Sequence, residues 1–465
     1  MRHADYIPPA PSPRIVKPNA RPSLKGYATY FQIMSNNPLE IWTEQHFNEP
    51  VILTKVLGYH YALVHDPEAI HRYLVTNADN YRLPAIRRLL FERVIGNGLL
   101  VSEGERWKKT RKALMPIFTP RHIFGFAEKM HAVAMRRADE LQARHGEKIC
   151  MSQEMIDLTL AILVEVLFSK DTDLNLEQFS TDMDRALKIS GTPHAFDLMH
   201  MPQWFPRLGR GETNRLIKGM RSHLADVAST RRKKISQSNS PSSDFLTLLL
   251  EAGKDTGEGL DDEGVVDNLI TFIAAGHETT ARSLIWVFYL LSQSDEWRVR
   301  VEREIDAAPL ADTPPEKWPS LLPELVAVIK ETMRLYPAGS MFSRSAIEAD
   351  TLSGHAVQAG TIAVTSAWVL HRHRKLWPSP DVFDPERFMG ERAESIPKYA
   401  YLPFGAGPRV CIGASFAMQE MVIILAVFLS RLGFEFAGKE DPVPVMRITI
   451  QPESSVEMTV SARGP

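Results

Sequence analysis

Cysteine is nearly absent: the 465 residues contain two, Cys150 and Cys411. That excludes a disulfide framework and a multi-cysteine zinc or iron–sulfur site, although one cysteine can still act alone. An excess of charge of one sign is also lacking. Lys and Arg number 54 against 56 Asp and Glu, a net charge of −2, so nucleic acid is not an expected partner. No uninterrupted apolar run reaches the roughly 18 residues of a membrane-spanning helix; the longest extends from Met421 to Leu429. The segment Met1 to Pro22 is rich in proline and has no apolar core, which fits neither a secretory signal nor a membrane anchor. The expectation is therefore no membrane span and a cytoplasmic location. Internal repeats and an interdomain linker are missing as well. We expect a proline-rich arm over 1–24 and one domain over 25–465.

With 44% hydrophobic and 24% charged residues, the composition is that of a globular chain. Two β-rich runs, Val51–Val56 and His60–His65, flank a Leu-Gly turn and read as a hairpin. A second hairpin is expected near the C-terminus, with strands Val445–Ile450 and Val456–Val460 around Gln-Pro-Glu-Ser-Ser. Arg231-Arg-Lys-Lys234 followed by Ser236–Ser243 reads as a charged helix end entering a solvated loop. Asp261-Asp-Glu opens a long apolar helix reaching about Leu291, the acids suiting the positive end of its dipole. Most of the remainder has helical periodicity, so the fold is expected to be mainly α with a small β region.

The segment Phe404-Gly-Ala-Gly-Pro-Arg-Val-Cys-Ile-Gly413 places three glycines and a proline immediately before an apolar helix starting near Ala414. Such a loop presents one sulfur on a rigid support. Backbone N–H groups at a helix N-terminus and a nearby cation favour a thiolate, and Arg409 is two residues before Cys411. The glycines allow close backbone approach to a flat cofactor, and Phe404 is placed to shield the sulfur. Taken alone, the loop is equally a glycine-rich turn around a buried cysteine. Cys150, in Lys-Ile-Cys-Met-Ser, has no such setting and reads as a packing residue.

The full pattern Phe-x-x-Gly-x-Arg-x-Cys-x-Gly at 404–413 resembles the haem-binding signature of the cytochrome P450 family, in the form of a soluble bacterial-type member without a fused reductase. The resemblance implies the single-domain cytochrome P450 fold and haem b as cofactor. It makes Cys411 the iron ligand, with Phe404, Arg409 and Gly413 at the cofactor, and Arg409 on a propionate.

Within the long helix, Ala274-Ala-Gly-His-Glu-Thr-Thr280 brings glycine and β-branched residues into an apolar run. Threonine hydroxyls compete for backbone carbonyls there, so a kink or a bound water is expected. Ala275 and Thr279 share one face. The heptapeptide alone is compatible with a polar stripe on an amphipathic helix. It resembles the family's acid–alcohol motif, which implies that Glu278 relays protons and Thr279 stabilises activated oxygen. His277 is expected to be a hydrogen-bonded structural residue and not a ligand.

Glu331 and Arg334 in Lys330-Glu-Thr-Met-Arg-Leu-Tyr-Pro337 are one turn apart on a helix. This segment resembles the family's Glu-x-x-Arg helix, and Phe383-Asp-Pro-Glu-Arg-Phe388 resembles the loop supplying Arg387, the third member of a structural triad. Trp107-Lys-Lys-Thr-Arg111 resembles the propionate-binding helix, making Trp107 and Arg111 cofactor-binding candidates with Arg344, for which an ordinary salt bridge stays open.

The implied reaction is insertion of one atom of O2 into a hydrophobic small molecule, by hydroxylation or epoxidation. Ile270, Ala274, Ala275, Met341 and Phe342 are the expected pocket wall. Electrons come from NAD(P)H through a separate ferredoxin or flavodoxin, for which Lys108, Lys109, Lys112 and Arg121 offer either a landing site or merely a solvated face. A peroxygenase or rearrangement enzyme on the same fold, and a haem sensor without turnover, are the rivals; neither explains the Glu278–Thr279 pair.

Overall fold

Asp261 starts the longest described helix by accepting the Gly264 N–H at 2.7 Å, and that helix organises what surrounds it. We analysed a computed structural model, which describes residues 6–13, 24–56, 58–169, 176–191, 210–237, 244–253 and 259–463. Its longer helices, in chain order, are α1 (Leu24–Asn36), α2 (Ala85–Ile95), α3 (Gly104–Leu114), α4 (Pro120–Gln142), α5 (Met151–Phe168) and α6 (Leu176–Gly191). They continue with α7 (Arg210–Gln237), α8 (Asp262–Gln293), α9 (Asp295–Ala307), α10 (Pro323–Leu335) and α11 (Ala414–Arg431).

Helix α8 is buried along most of its length among neighbours instead of lying on the surface. It packs against α5, α7, α10 and α11. Close approach to α5 is possible because Gly276 has no side chain: a Cβ there would meet Leu163 at 3.3 Å. Helix α11 has the length and composition of a membrane-crossing helix. Its residues Gln419–Leu429 are nevertheless buried in the protein core, which is what its apolar character serves.

The β structure is small. Strands β1 (Val51–Val56), β2 (Tyr59–Val64), β3 (Tyr81–Arg82), β5 (Met341–Ala346) and β8 (Ile362–Ser366) form one sheet in the order β1-β2-β8-β5-β3, while β4 is Lys148–Cys150. The first hairpin pairs Val51 with Val64, one residue earlier in its second strand than the sequence suggests; His65 instead lies buried beyond it. A short ladder joins β6 (Asp350–Leu352) to β7 (His355–Val357).

The C-terminal strands correct the sequence reading. The run Val445–Ile450 is not one strand: β10 (Pro444–Met446) folds back on β11 (Ile450–Pro452), the turn closed by the Arg447 N–H on Thr449 O at 3.0 Å. The last strand, β12 (Glu457–Ala462), pairs with β9 (Leu432–Phe436) and β4 instead. Alternation gives Val456, Met458 and Val460 a buried face, but it carries no information about a partner strand so distant in sequence. Cys150, at the end of β4, is half-buried opposite Glu457.

Two further expectations change. Arg231 is buried and ion-paired with buried Asp244, also donating to Phe168 O at 3.0 Å, so the basic run is not wholly solvated. Residues 238–243 of the expected loop lie outside the described residues. In the arm, Tyr6 Oη is 2.8 Å from Tyr289 Oη, the Phe383 N–H donates to Tyr6 O at 3.0 Å, and Tyr336 Oη donates to Pro9 O at 2.9 Å. These bonds seat Tyr6–Pro9 on α8 and α10.

Candidate active site

The cysteine loop takes its shape from glycine. Gly405 and Gly407 have φ of +75° and +73°, in the left-handed region that other residues avoid. A Cβ on Gly407 would lie 1.8 Å from Leu74 O, and one on Gly405 would lie 3.1 Å from the Phe342 ring. The loop is closed by the Cys411 N–H donating to Phe404 O at 2.9 Å and the Val410 N–H to Gly407 O at 3.0 Å, and Gly413 leads into α11.

Cys411 retains access to solvent, yet enough protein surrounds it that burial raises its thiol pKa. The Gly413 N–H and the Arg111 charge act in the opposite direction. Arg111, and not the nearer-in-sequence Arg409, is the cation that acts on the sulfur; Arg409 turns away to lie over the Trp107 ring at 4.5 Å and to donate to Ser102 O at 2.7 Å. Burial outweighs both favourable influences, so a bare thiolate is disfavoured, and a bound metal cation would reverse that balance. Among the described residues no cluster of His, Cys, Asp or Glu is arranged to hold a metal, leaving Cys411 as a single sulfur donor.

Beside this loop, Arg344 and Arg409 are crowded together with Arg87, a residue on α2 that sequence reasoning missed. Burial and, after it, the Arg344 charge push Arg87 and Arg409 down to about 10. Arg344 is itself lowered, first by burial. Arg111 adds to the repulsion at Arg409. Glu103 is the acid that offsets part of this charge, while its Oε1 also accepts the Leu83 N–H at 2.6 Å. Buried like charges of this kind are matched by an anionic ligand, and a haem, with its two propionates, has the right charge. The cradle and the donor set therefore fit a haem. Nothing in Ala85-Ile-Arg-Arg88 marks Arg87, because an arginine on a helix is ordinary until the fold turns it inward.

On α8, Thr279 Oγ1 donates to Ala275 O at 2.7 Å, one of a series of side chains bonding back one turn that includes Asn268, Thr271 and Ser283. The helix is continuous from Asp262 to Gln293 through these residues. His277 is buried with Nδ1 2.6 Å from Ile273 O, and its own carbonyl accepts Thr159 Oγ1 at 3.0 Å. Glu278 Oε1 accepts Thr449 Oγ1 at 2.9 Å and lies 3.8 Å from Arg282 Nε. Thr280 is buried and hydrogen-bonded to Glu420 of α11, whose carboxyl burial pushes up to about 8. The sequence carries no local sign of Glu420 either, since it lies within an apolar helix.

The structure brings Glu331, Arg334 and Arg387 together. Arg334 donates to both carboxylate oxygens of Glu331, at 2.6 and 2.7 Å, and Arg387 Nε is 3.5 Å from Glu331 Oε1. The Asp384 N–H also donates to Glu331 Oε1 at 2.8 Å. Arg387 uses its remaining nitrogens on Pro378 O and Ser379 O.

Of the expected pocket wall, Ala275 and Met341 are exposed and Ala274 and Phe342 partly so. Ile270 is not in that wall: it is fully buried in the main core, because its position on α8 faces the helix packing. A separate recess of about 550 Å³ lies between α7 and the start of α8, lined by Arg93, Ile217, Lys218, Arg221 and Val266. It shares no residue with the Cys411 loop or Thr279. Lys108, Lys109, Lys112 and Arg121 are exposed, with exposed Met115 and Phe124 among them.

Comparison with known proteins gives a consistent result. The family profile described as Cytochrome P450 matches residues 22–460. Cyclooctat-9-en-7-ol 5-monooxygenase of Streptomyces melanosporofaciens is 34% identical over 346 residues, covering 73% of this chain and 72% of that one. Cytokinin hydroxylase of Arabidopsis thaliana is 31% identical over 378 residues, covering 79% and 72%. The crystal structure of the cytochrome P450DA heme domain superposes with a TM-score of 0.79 over 99% of each chain, at 23% identity.

Proposed function

This chain belongs to the cytochrome P450 family and is a haem-thiolate monooxygenase, and on that premise we propose that Cys411 is the ligand of its haem iron. The observation that carries the assignment is the glycine-formed loop holding Cys411 as a single sulfur donor beside Arg111. Haem, when bound, supplies the iron at which oxygen is activated, one atom entering a substrate C–H or C=C bond and the other leaving as water with two electrons and two protons.

The chain's own residues bind, orient and move protons. Arg111, Arg344, Arg409 and Arg87 hold the propionates with Trp107, which their crowding and depressed pKa values support. Gly413 directs its N–H toward the sulfur, and Phe404, whose carbonyl accepts the Cys411 N–H, lies at the cofactor. Glu278 carries protons inward from solvent, and the Thr279 hydroxyl, its proton given to Ala275 O, presents its oxygen as an acceptor on the face of exposed Ala275. Glu331, Arg334 and Arg387 lock the α10 end to the Phe383–Phe388 loop. Ala274, Ala275, Met341 and Phe342 form the wall that receives a hydrophobic small molecule.

Electrons derived from NAD(P)H arrive through a ferredoxin or flavodoxin that docks on Lys108, Lys109, Lys112 and Arg121, opposite charge steering the encounter. The protein works in the cytoplasm, with residues 1–24 as an arm and 25–465 as the monooxygenase domain. Absorbance titration of the ferric protein with fatty acids, terpenoids, steroids and aromatics tests the substrate reading. A low-to-high-spin shift with one class identifies it, and turnover is then compared with ferredoxin and flavodoxin. Absence of any haem absorbance after haem supplementation would overturn the Cys411 assignment.

A further inference from the structure

We propose that Thr449, on the turn of the C-terminal hairpin, is a positioning residue for the Glu278 carboxylate; this rests on Glu278 being the acid through which protons pass. Thr449 is 171 residues from Glu278 in sequence, yet its Oγ1 donates to Glu278 Oε1 at 2.9 Å. It is only 3% exposed, so water does not readily take its place at the carboxylate. Glu278 and its second neighbour Arg282 are themselves 14% and 17% exposed in their side chains. A hydroxyl bonded to a carboxyl oxygen in such partly dry surroundings constrains that group's direction.

The hydroxyl is delivered by a fixed support. The turn is closed by the Arg447 N–H on Thr449 O, and its first strand is pinned by Asn37, which accepts the Met446 N–H at 3.2 Å and donates to Pro444 O at 3.0 Å. Arg282 Nε, at 3.8 Å, is too distant to fix the carboxylate alone. Thr279, the next residue along α8, bonds to its own helix at Ala275 O. The acid and the alcohol, adjacent in sequence, are thus oriented by different parts of the fold. The hairpin turn sets the acid, and with it the path by which protons reach the Thr279 face.

The test combines stability and turnover in the haem-loaded protein. Thr449→Val removes the donor at nearly constant volume, Thr449→Ser keeps it, and each is combined with Glu278→Ala in a double-mutant cycle. Melting temperatures of the ferric protein should be non-additive, with Thr449→Val costing much less once Glu278 is gone. In turnover with a reconstituted electron donor, Thr449→Val should divert several-fold more reductant to hydrogen peroxide, and Thr449→Ser should restore the parental share. Additive melting shifts would overturn the contact. Raised peroxide in Glu278→Ala beside a parental share in Thr449→Val would overturn the positioning role alone. A parental share in Glu278→Ala would sink the relay reading, and this proposal with it.

Discussion

Arg334 grips Glu331 through two parallel hydrogen bonds, Nε to Oε2 at 2.6 Å and Nη2 to Oε1 at 2.7 Å, with neither side chain accessible to solvent. A buried pair of this kind is tolerated because every remaining donor is used: Arg334 also reaches His371 O, Pro380 O and Val382 O. Truncating Arg334 strips the buried Glu331 carboxylate of its two charge-assisted hydrogen bonds, at a cost of about 3–5 kcal/mol. Arg334→Ala should therefore yield protein unable to retain haem. The haem-to-protein ratio after purification checks this, and a stable variant with full haem content would refute the role given to the triad.

Gly407 gives a second test, because its constraint is on backbone geometry. Alanine there would combine a φ of +73° with a Cβ 1.8 Å from Leu74 O, a backbone atom that cannot move aside cheaply. Gly407→Ala should lower both melting temperature and haem content. Gly125 on α4 is the control: no atom lies within 4 Å of its Cβ position, so Gly125→Ala should stabilise by about 0.5–1 kcal/mol through helix propensity. Equal behaviour of the two variants in a melting experiment would show that the loop is not held as described.

Thr279→Ala separates chemistry from structure. The hydroxyl bonds back to Ala275 O, a carbonyl that keeps its ordinary helix partner when the hydroxyl is removed, so α8 should persist. Reductant consumption is expected to continue, with more of it appearing as hydrogen peroxide and less as oxygenated product. Unchanged coupling between reductant and product would count against the assignment of Thr279.

Glu420 predicts a pH dependence of stability. A glutamate in the unfolded chain titrates near 4.5, whereas burial pushes Glu420 up to about 8. Between these values the folded protein keeps a proton that the unfolded chain has released, so this residue's contribution becomes less favourable as pH rises from about 4.5 to 8. Glu420→Gln should match the parent near the lower limit and melt at higher temperature than the parent near the upper one. Parallel melting curves for the two proteins across that range would exclude a buried neutral acid.

What the sequence discloses is local in origin. The cysteine loop is readable because its glycines and proline dictate a turn whatever surrounds it, and α8 because acids at Asp261–Glu263 begin a long apolar period. The first hairpin follows from a two-residue turn between β-rich runs. Pairings that depend on distant segments are not readable in this way. β12 has the right alternation, but only the fold selects β9 and β4 as its partners. Arg87, Glu420 and Thr449 become significant only when α2, α11 and the last hairpin converge on the Cys411 loop and α8. Ile270 shows the converse: periodicity puts it on an apolar face, and packing makes that face core instead of pocket.

The most direct measurement is the absorbance spectrum of the reduced, carbon monoxide-bound protein, compared between the parent and Cys411→Ser expressed with supplemented haem. The parent should show the thiolate-type haem spectrum, and Cys411→Ser should lose it altogether. Retention of that spectrum by Cys411→Ser would contradict the assignment of Cys411 as the iron ligand.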